Sequence, residues 1–145
     1  MNLSPHFTLA EMIRSESASR HGIDNTPNAT QTKNLQNLCI NVLEPLRTLV
    51  GKPINVSSGF RNPTLNSLIG GSPTSQHMKG EAADISVEGF TTEQLFLLII
   101  SSSLPFDQII QEFNSWVHIS YKKTNRREAL RVTKNAQNKT VYTKV

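Results

Sequence analysis

A carboxylate stands in the middle of what the residue pattern reads as an interior strand. Residues Ala82 to Val87 are small or apolar apart from Asp84, which lies between Ala83 and Ile85. A buried carboxylate is costly unless charge or hydrogen bonds meet it. Any fold of this chain must therefore bring a partner to Asp84. One candidate is His77, on the loop Ser75-Gln76-His77-Met78-Lys79-Gly80 just upstream. A second is His118, in an apolar stretch thirty-four residues after Asp84. Taken singly, each has an ordinary reading: His118 as a core or surface histidine, His77 as a solvated loop residue, Asp84 as a strand-end cap. Taken together they offer two imidazoles and a carboxylate, a donor set that zinc accepts. Three protein ligands leave a fourth position for water, as catalytic rather than structural sites do.

The rest of the chain reads as helices first and strands later. Thr8 and Glu11 form a capping box, with Phe7 and Met12 spaced as a hydrophobic staple, and predict a helix of about two turns that frays by Ser17 or Ser19. Leu35, Leu38, Cys39, Val42, Leu46, Leu49 and Val50 fall on one stripe and predict a helix over 31–50. Pro45 should kink or split it, and Gly51 fits just past its end. Ile54 to Ser58 reads as a strand, Asn62-Pro63 opens a short helix, and Gly70-Gly71-Ser72-Pro73 ends it. Thr91 and Gln94 precede a helix over about 92–101. Phe106–Phe113 and Trp116–Tyr121 read as a strand pair, and Glu128–Thr133 and Thr140–Val145 as terminal strands. The expected class is α+β: N-terminal helices packed on a small, mainly antiparallel sheet.

Composition bounds the possibilities. With 145 residues, one domain over 1–145 is expected. The single cysteine, Cys39, excludes an internal disulfide and a thiolate-rich zinc site, and reads as a buried small hydrophobe. No apolar run is long enough to span a bilayer. Met1 to Phe7 lacks the basic and apolar segments of a signal peptide. The expectation is a cytoplasmic protein until lysis or a separate export route releases it, and a monomer. Residues 122–145 hold eight basic side chains and one acid, a net +7 against −3 for the rest. Such a segment attracts polyanions, among them anionic wall polymers and nucleic acid, or is simply a solvated surface. No aromatic residue interleaves Lys122 to Arg127, which disfavours nucleic acid.

The motif Ser75-x-His77-x-x-Gly80-x-Ala82-x-Asp84, followed by Trp116-Val117-His118, resembles the zinc D-alanyl-D-alanine peptidases. That group includes D-Ala-D-Ala carboxypeptidases, VanX-like dipeptidases and phage L-alanyl-D-glutamate endopeptidases, and the hedgehog N-terminal domain shares its fold. The opening Phe7-Thr8-Leu9-Ala10-Glu11-Met12 and the stretch Leu43 to Arg47 resemble small phage or prophage members. The resemblance implies one zinc ion held by His77, Asp84 and His118, and hydrolysis of a peptide bond in peptidoglycan stem peptide. Gly80 would permit the turn that returns His77 over the strand. Ser58-Gly59-Phe60-Arg61 resembles the family's Ser-Gly-Tyr-Arg segment, which makes Arg61 the candidate for stabilising charge on the substrate carbonyl; a structural salt bridge is its other reading. Ser75 and Gln76 would contact substrate. Trp116 would do so too, or floor the core.

The general base is the open position. Many family members carry an acid three residues before the second histidine, where this chain has Ser115. Glu112, six residues before His118, is the alternative. A two-residue turn would pair Glu112 with Val117 and point it away from His118. A three-residue turn, Phe113 to Ser115, would pair it with Trp116 and put Glu112, Trp116 and His118 on one face. The odd-length turn is the expectation, with Asp107 and Glu81 as fallback bases. The missing acid also leaves a second function open, a zinc-carrying wall- or protein-binding module without catalysis.

Overall fold

The computed structural model describes residues 1–145. Strands β1 (Asn2–Ser4) and β2 (Phe7–Thr8) pair and lead into α1 (Leu9–Ile13). The Thr8–Glu11 capping box is present. The helix is shorter than expected because Arg14 turns extended and Ser15 caps a separate helix, α2 (Glu16–Arg20). Helix α3 (Ala29–Leu38) starts under a second capping box, Asn28 with Gln31. That box marks its start two residues before the stripe alone suggests.

Pro45 splits the long helix as expected. The cause is local: proline has no N–H and its ring crowds the carbonyl four residues back. The chain answers with a wider turn, Cys39–Leu43, in which the Glu44 N–H donates to the Cys39 carbonyl five residues earlier. Helix α4 (Glu44–Val50) then runs to Gly51, which takes the left-handed conformation at φ 68°. The wide turn shifts the helical phase. Leu35, Leu38, Cys39, Val42, Leu43 and Leu46 are buried, but Leu49 rotates out to 48% exposure. Cys39 is buried, as expected, and burial pushes its thiol up to about 12.

The remaining elements are β3 (Asn55–Ser58), α5 (Pro63–Leu68), β4 (Ala82–Ser86), α6 (Thr92–Ser101), β5 (Gln108–Glu112), β6 (Trp116–Ser120), β7 (Glu128–Lys134) and β8 (Thr140–Lys144). Six strands form one sheet in the order β3-β4-β6-β5-β7-β8. All pairs are antiparallel except β5 with β7. The expected α+β class, with its mainly antiparallel sheet, is what the chain adopts.

The sheet has two unlike faces, because successive residues of a strand alternate sides. One carries Ala83, Ile85, Val117, Ile119 and Ile109, all buried in the core with Leu35, Leu38, Leu46, Phe96 and Ile99 of the helices. The other carries Asp84, His118, Ile110, Glu112 and Trp116, and lines an open cleft. No helix is long and apolar enough to cross a membrane.

Candidate active site

Three local devices aim the polar residues into that cleft. The first is a bulge in β3. Val56 faces Ile85, but Ser58 rather than Ser57 faces Asp84, so one extra residue bends the edge strand. The second follows at Gly59. A Cβ there would lie 2.2 Å from the Met12 carbonyl oxygen, so only glycine lets the segment pass α1 this closely. The third is the single 3-10 turn Gln76–Lys79, which carries His77. Ser75 caps it by accepting from the His77 N–H at 3.2 Å. Gly80 ends it at φ 75°, where a Cβ would meet the Gln31 carbonyl at 2.4 Å. Gly80 is thus required both for its conformation and for its contact, in line with the turn expected of it.

These devices bring His77, Asp84 and His118 together, all buried. One ligand atom from each lies within 4.8 Å of the others. His77 Nε2 is 3.1 Å from Asp84 Oδ1, and His118 Nδ1 is 3.4 Å from the same oxygen. Asp84 and His118 are direct cross-strand partners, so the β4–β6 register alone fixes that pair. The rings of His77 and His118 meet edge-on, with centroids 5.1 Å apart. On its far side, His77 Nδ1 is 2.7 Å from the Gly59 carbonyl. A carbonyl accepts only, so Nδ1 carries the proton and Nε2 presents its lone pair to the centre. Outer-shell anchoring of this kind is how metal-binding imidazoles are oriented.

The electrostatics suit a cation. Burial holds the His77 imidazole below its ordinary pKa, against the pull of Asp84, so it stays neutral. Burial also works to raise Asp84, but the two imidazoles beside it outweigh that and hold the carboxyl far below its ordinary value. Two imidazole nitrogens and one carboxylate oxygen converging at a buried point fit one zinc ion with a fourth position facing the cleft.

Glu112 lies on the same face. The hairpin has Glu112 opposite Trp116 and Ile110 opposite His118, which is the three-residue turn. Phe113 and Asn114 both take φ of 56°, and the Ser115 N–H donates to the Glu112 carbonyl at 2.8 Å. The turn is fixed from outside: the Phe113 N–H donates to the Val132 carbonyl of β7, and Thr92 Oγ1 donates to the Asn114 carbonyl. Trp116 Nε1 donates to Glu112 Oε2 at 2.7 Å. Burial, and next the negative charge of Asp84, push the Glu112 carboxyl above its ordinary value, despite the indole bond and the nearby His118 and Arg61.

Arg61 follows Gly59 and Phe60 into the cleft. Its own N–H donates to the His77 carbonyl at 3.1 Å. Its guanidinium forms no salt bridge, and its buried Nε has no hydrogen-bond partner. Burial lowers its pKa, against the charges of Asp84 and Glu112. A desolvated cation without a protein acceptor is set for an acceptor on a ligand.

The family model for peptidase M15 matches residues 5–120. The chain belongs to the peptidase M15 family. It is also 47% identical over 51 residues to the zinc D-Ala-D-Ala carboxypeptidase of Streptomyces albus G, a match covering 33% of this chain and 20% of that protein. The chain thus aligns with only a fifth of that relative's length. Membership in this family of zinc peptidases agrees with a one-zinc site at the His-Asp-His triad.

The M15 site also differs from the sequence reading in detail. Trp116 is no floor of the core; it is half-buried, lines the cleft and holds Glu112. Gln76 spends its amide on Asp107, with Nε2 donating to Oδ2 at 2.8 Å. Asp107 is not a spare base. It is fully buried, takes two bonds from Arg126 at 2.9 and 3.0 Å, and is held down to about 2 as these bonds and that of Gln76 outweigh burial. Glu81 does not line the cleft that holds the triad. The Gly59 carbonyl and the hydrogen bond from the Trp116 indole to Glu112 were the parts that sequence reasoning missed. The motif names side chains, and the first of these is a backbone atom. His6 and His21 are exposed and lie outside the site.

Proposed function

We propose that this chain is a zinc metallopeptidase that hydrolyses peptidoglycan stem peptides as an endolysin-type endopeptidase. The observation that carries the catalytic reading is the register of Glu112 opposite Trp116, which puts a carboxylate of raised pKa on the metal-binding face. Bound zinc would act as a Lewis acid on the scissile carbonyl and acidify the attacking water. Glu112 would take the proton of that water and pass it to the leaving amine. Its raised pKa brings it nearer the range in which both transfers are efficient. Arg61 would meet the negative charge that develops on the carbonyl oxygen. Ser75, Gln76 and Trp116 line the same cleft and would contact the peptide.

An internal bond is favoured over a terminal one by the shape of the groove. The cleft of about 820 Å³ adjoins a second one of about 420 Å³, and both are lined by Arg61 and Ile69. Arg14 and Arg20 line the far lobe. A peptide that continued past Arg61 would reach this second cleft, which a carboxypeptidase site has no need to provide. Lys122, Lys123, Lys139 and Lys144 form no salt bridge and would supply the attraction to anionic wall polymer. Action on the wall after lysis is part of the same reading.

The test is metal analysis of the purified protein, with cleavage of wall peptides followed by mass spectrometry. One zinc per chain and products from an internal bond are expected. His77→Ala should lose both zinc and turnover. Zinc without turnover on any wall peptide would replace this reading with a non-catalytic binding module.

A further inference from the structure

The C-terminal hairpin β7–β8 lies beyond residues 5–120, which the family model matches. It nevertheless extends the floor of the metal-bearing face. Cross-strand partners point to the same side of a sheet. The register therefore lays out two neighbouring rows on the open face. One runs from Asp84 through His118, Ile110 and Leu130 to Lys144. The other runs from Trp116 through Glu112 and Val132 to Tyr142. The first row begins at two metal ligands, and the second contains the proposed base. Ile110, Leu130 and Tyr142 line the same cleft as the triad.

Tyr142 is 62% exposed, on the edge strand of the sheet. Three strand spacings separate His118 on β6 from β8, a distance of about 14 Å. That is about four residues of extended peptide.

The hairpin is held firmly although it is terminal. Arg126 bonds to Asp107, Arg131 to Glu93 at 2.6 Å, and Arg127 donates to the carbonyls of Ile100, Ser102 and Leu104 at the end of α6 and just beyond. The basic character of the segment therefore serves in part to fasten a strand pair. A shelf fixed in advance costs a ligand little to order.

We infer that Ile110, Leu130 and Tyr142 form a substrate subsite, an apolar shelf that takes peptide up to about four residues from the scissile bond. The occupant is the stem peptide itself, because the shelf is continuous with the metal site and opens into the same cleft. The inference rests on the peptidase reading. Leu130 and Tyr142 are positioned to set how long a substrate must be, and neither touches the reacting atoms.

The experiment uses the full zinc-loaded chain and synthetic stem peptides of two to six residues. Tyr142→Ala changes an exposed side chain and should fold normally. It should raise KM about fivefold or more for the longest peptides, leave the shortest unchanged, and leave kcat unchanged throughout. Leu130→Ser should do the same. An equal loss on short and long peptides, or no change on either, would overturn the shelf. A second readout does not depend on turnover. Trp116 is the only tryptophan and lines the cleft, so its fluorescence reports peptide binding to the zinc-loaded Glu112→Gln protein. Affinity should rise with peptide length, and Tyr142→Ala should abolish the rise. If wild type cleaves nothing but this length dependence holds, the peptidase reading fails and the shelf stands. If binding shows no length dependence, the shelf fails whatever the activity.

Discussion

The two ends of strand β5 carry carboxylates with opposite fates. Asp107, just before the strand, is satisfied by Arg126, Gln76 and Ser120. Glu112, at the other end, accepts from one neutral donor, the Trp116 indole. Asp107 is fully buried and Glu112 partly so, and burial pushes both up. Charge and multiple donors reverse that for Asp107 and not for Glu112. One becomes a fixed anion that fastens the C-terminal hairpin; the other keeps a proton affinity useful for transfer. The type of residue does not distinguish the structural acid from the proposed base here. The number and charge of its donors does.

The strongest way to break this contrast is Glu112→Gln. Turnover should fall about 10²–10⁴-fold, with zinc retained, as measured by steady-state kinetics beside metal analysis. A smaller fall, or loss of zinc, would remove Glu112 from the role of base. Asp107→Asn should do the reverse. It should cost about 2–4 kcal/mol of stability in denaturant unfolding, while kcat of the folded protein stays near wild type.

The pH dependences should also have opposite signs. Asp107 is held at about 2 against an ordinary 3.8. Its share of stability, about 2 kcal/mol, is fully present above pH 3.8 and is lost as pH falls toward 2. Acid unfolding of the zinc-free protein should show that loss, and Asp107→Asn should flatten it. Glu112 binds its proton more tightly folded than unfolded, so its ionisation opposes folding at neutral pH. Glu112→Gln should therefore stabilise the zinc-free protein slightly. The smallest effect is expected of Trp116→Phe. Removing the indole bond takes away a donor that lowers the Glu112 pKa. The acidic limb of kcat/KM should move to higher pH, with kcat lower by about tenfold.

Much of this was legible in the residues because it is local. The Thr8 and Thr91 capping boxes and the Asn62-Pro63 helix start sit where their short patterns place them. Where two signals competed, the pattern alone was insufficient. The stripe over 31–50 counts Leu49 as core, but the wide turn forced by Pro45 changes the phase and exposes it. Trp116 reads in the sequence as either a substrate contact or a floor of the core; its N–H needs an acceptor, and Glu112 beside it supplies one.

The sequence by itself determined the mainly antiparallel α+β class, and its resemblance to the zinc peptidases pointed to His77, Asp84 and His118 and to the glycine of the His77 turn. The class follows from short-range periodicity, and the three candidate ligands from a dense motif whose residue types suit zinc. Only the tertiary structure decided which carboxylate faces the metal. One residue of turn length moves Glu112 from one side of the sheet to the other, and that length is fixed by contacts of the turn with Val132 and Thr92, distant along the chain. Tertiary structure likewise gave the basic C-terminal segment its place. Arg126, Arg127 and Arg131 read as free charge in the sequence, and find their partners only when β7 aligns beside β5.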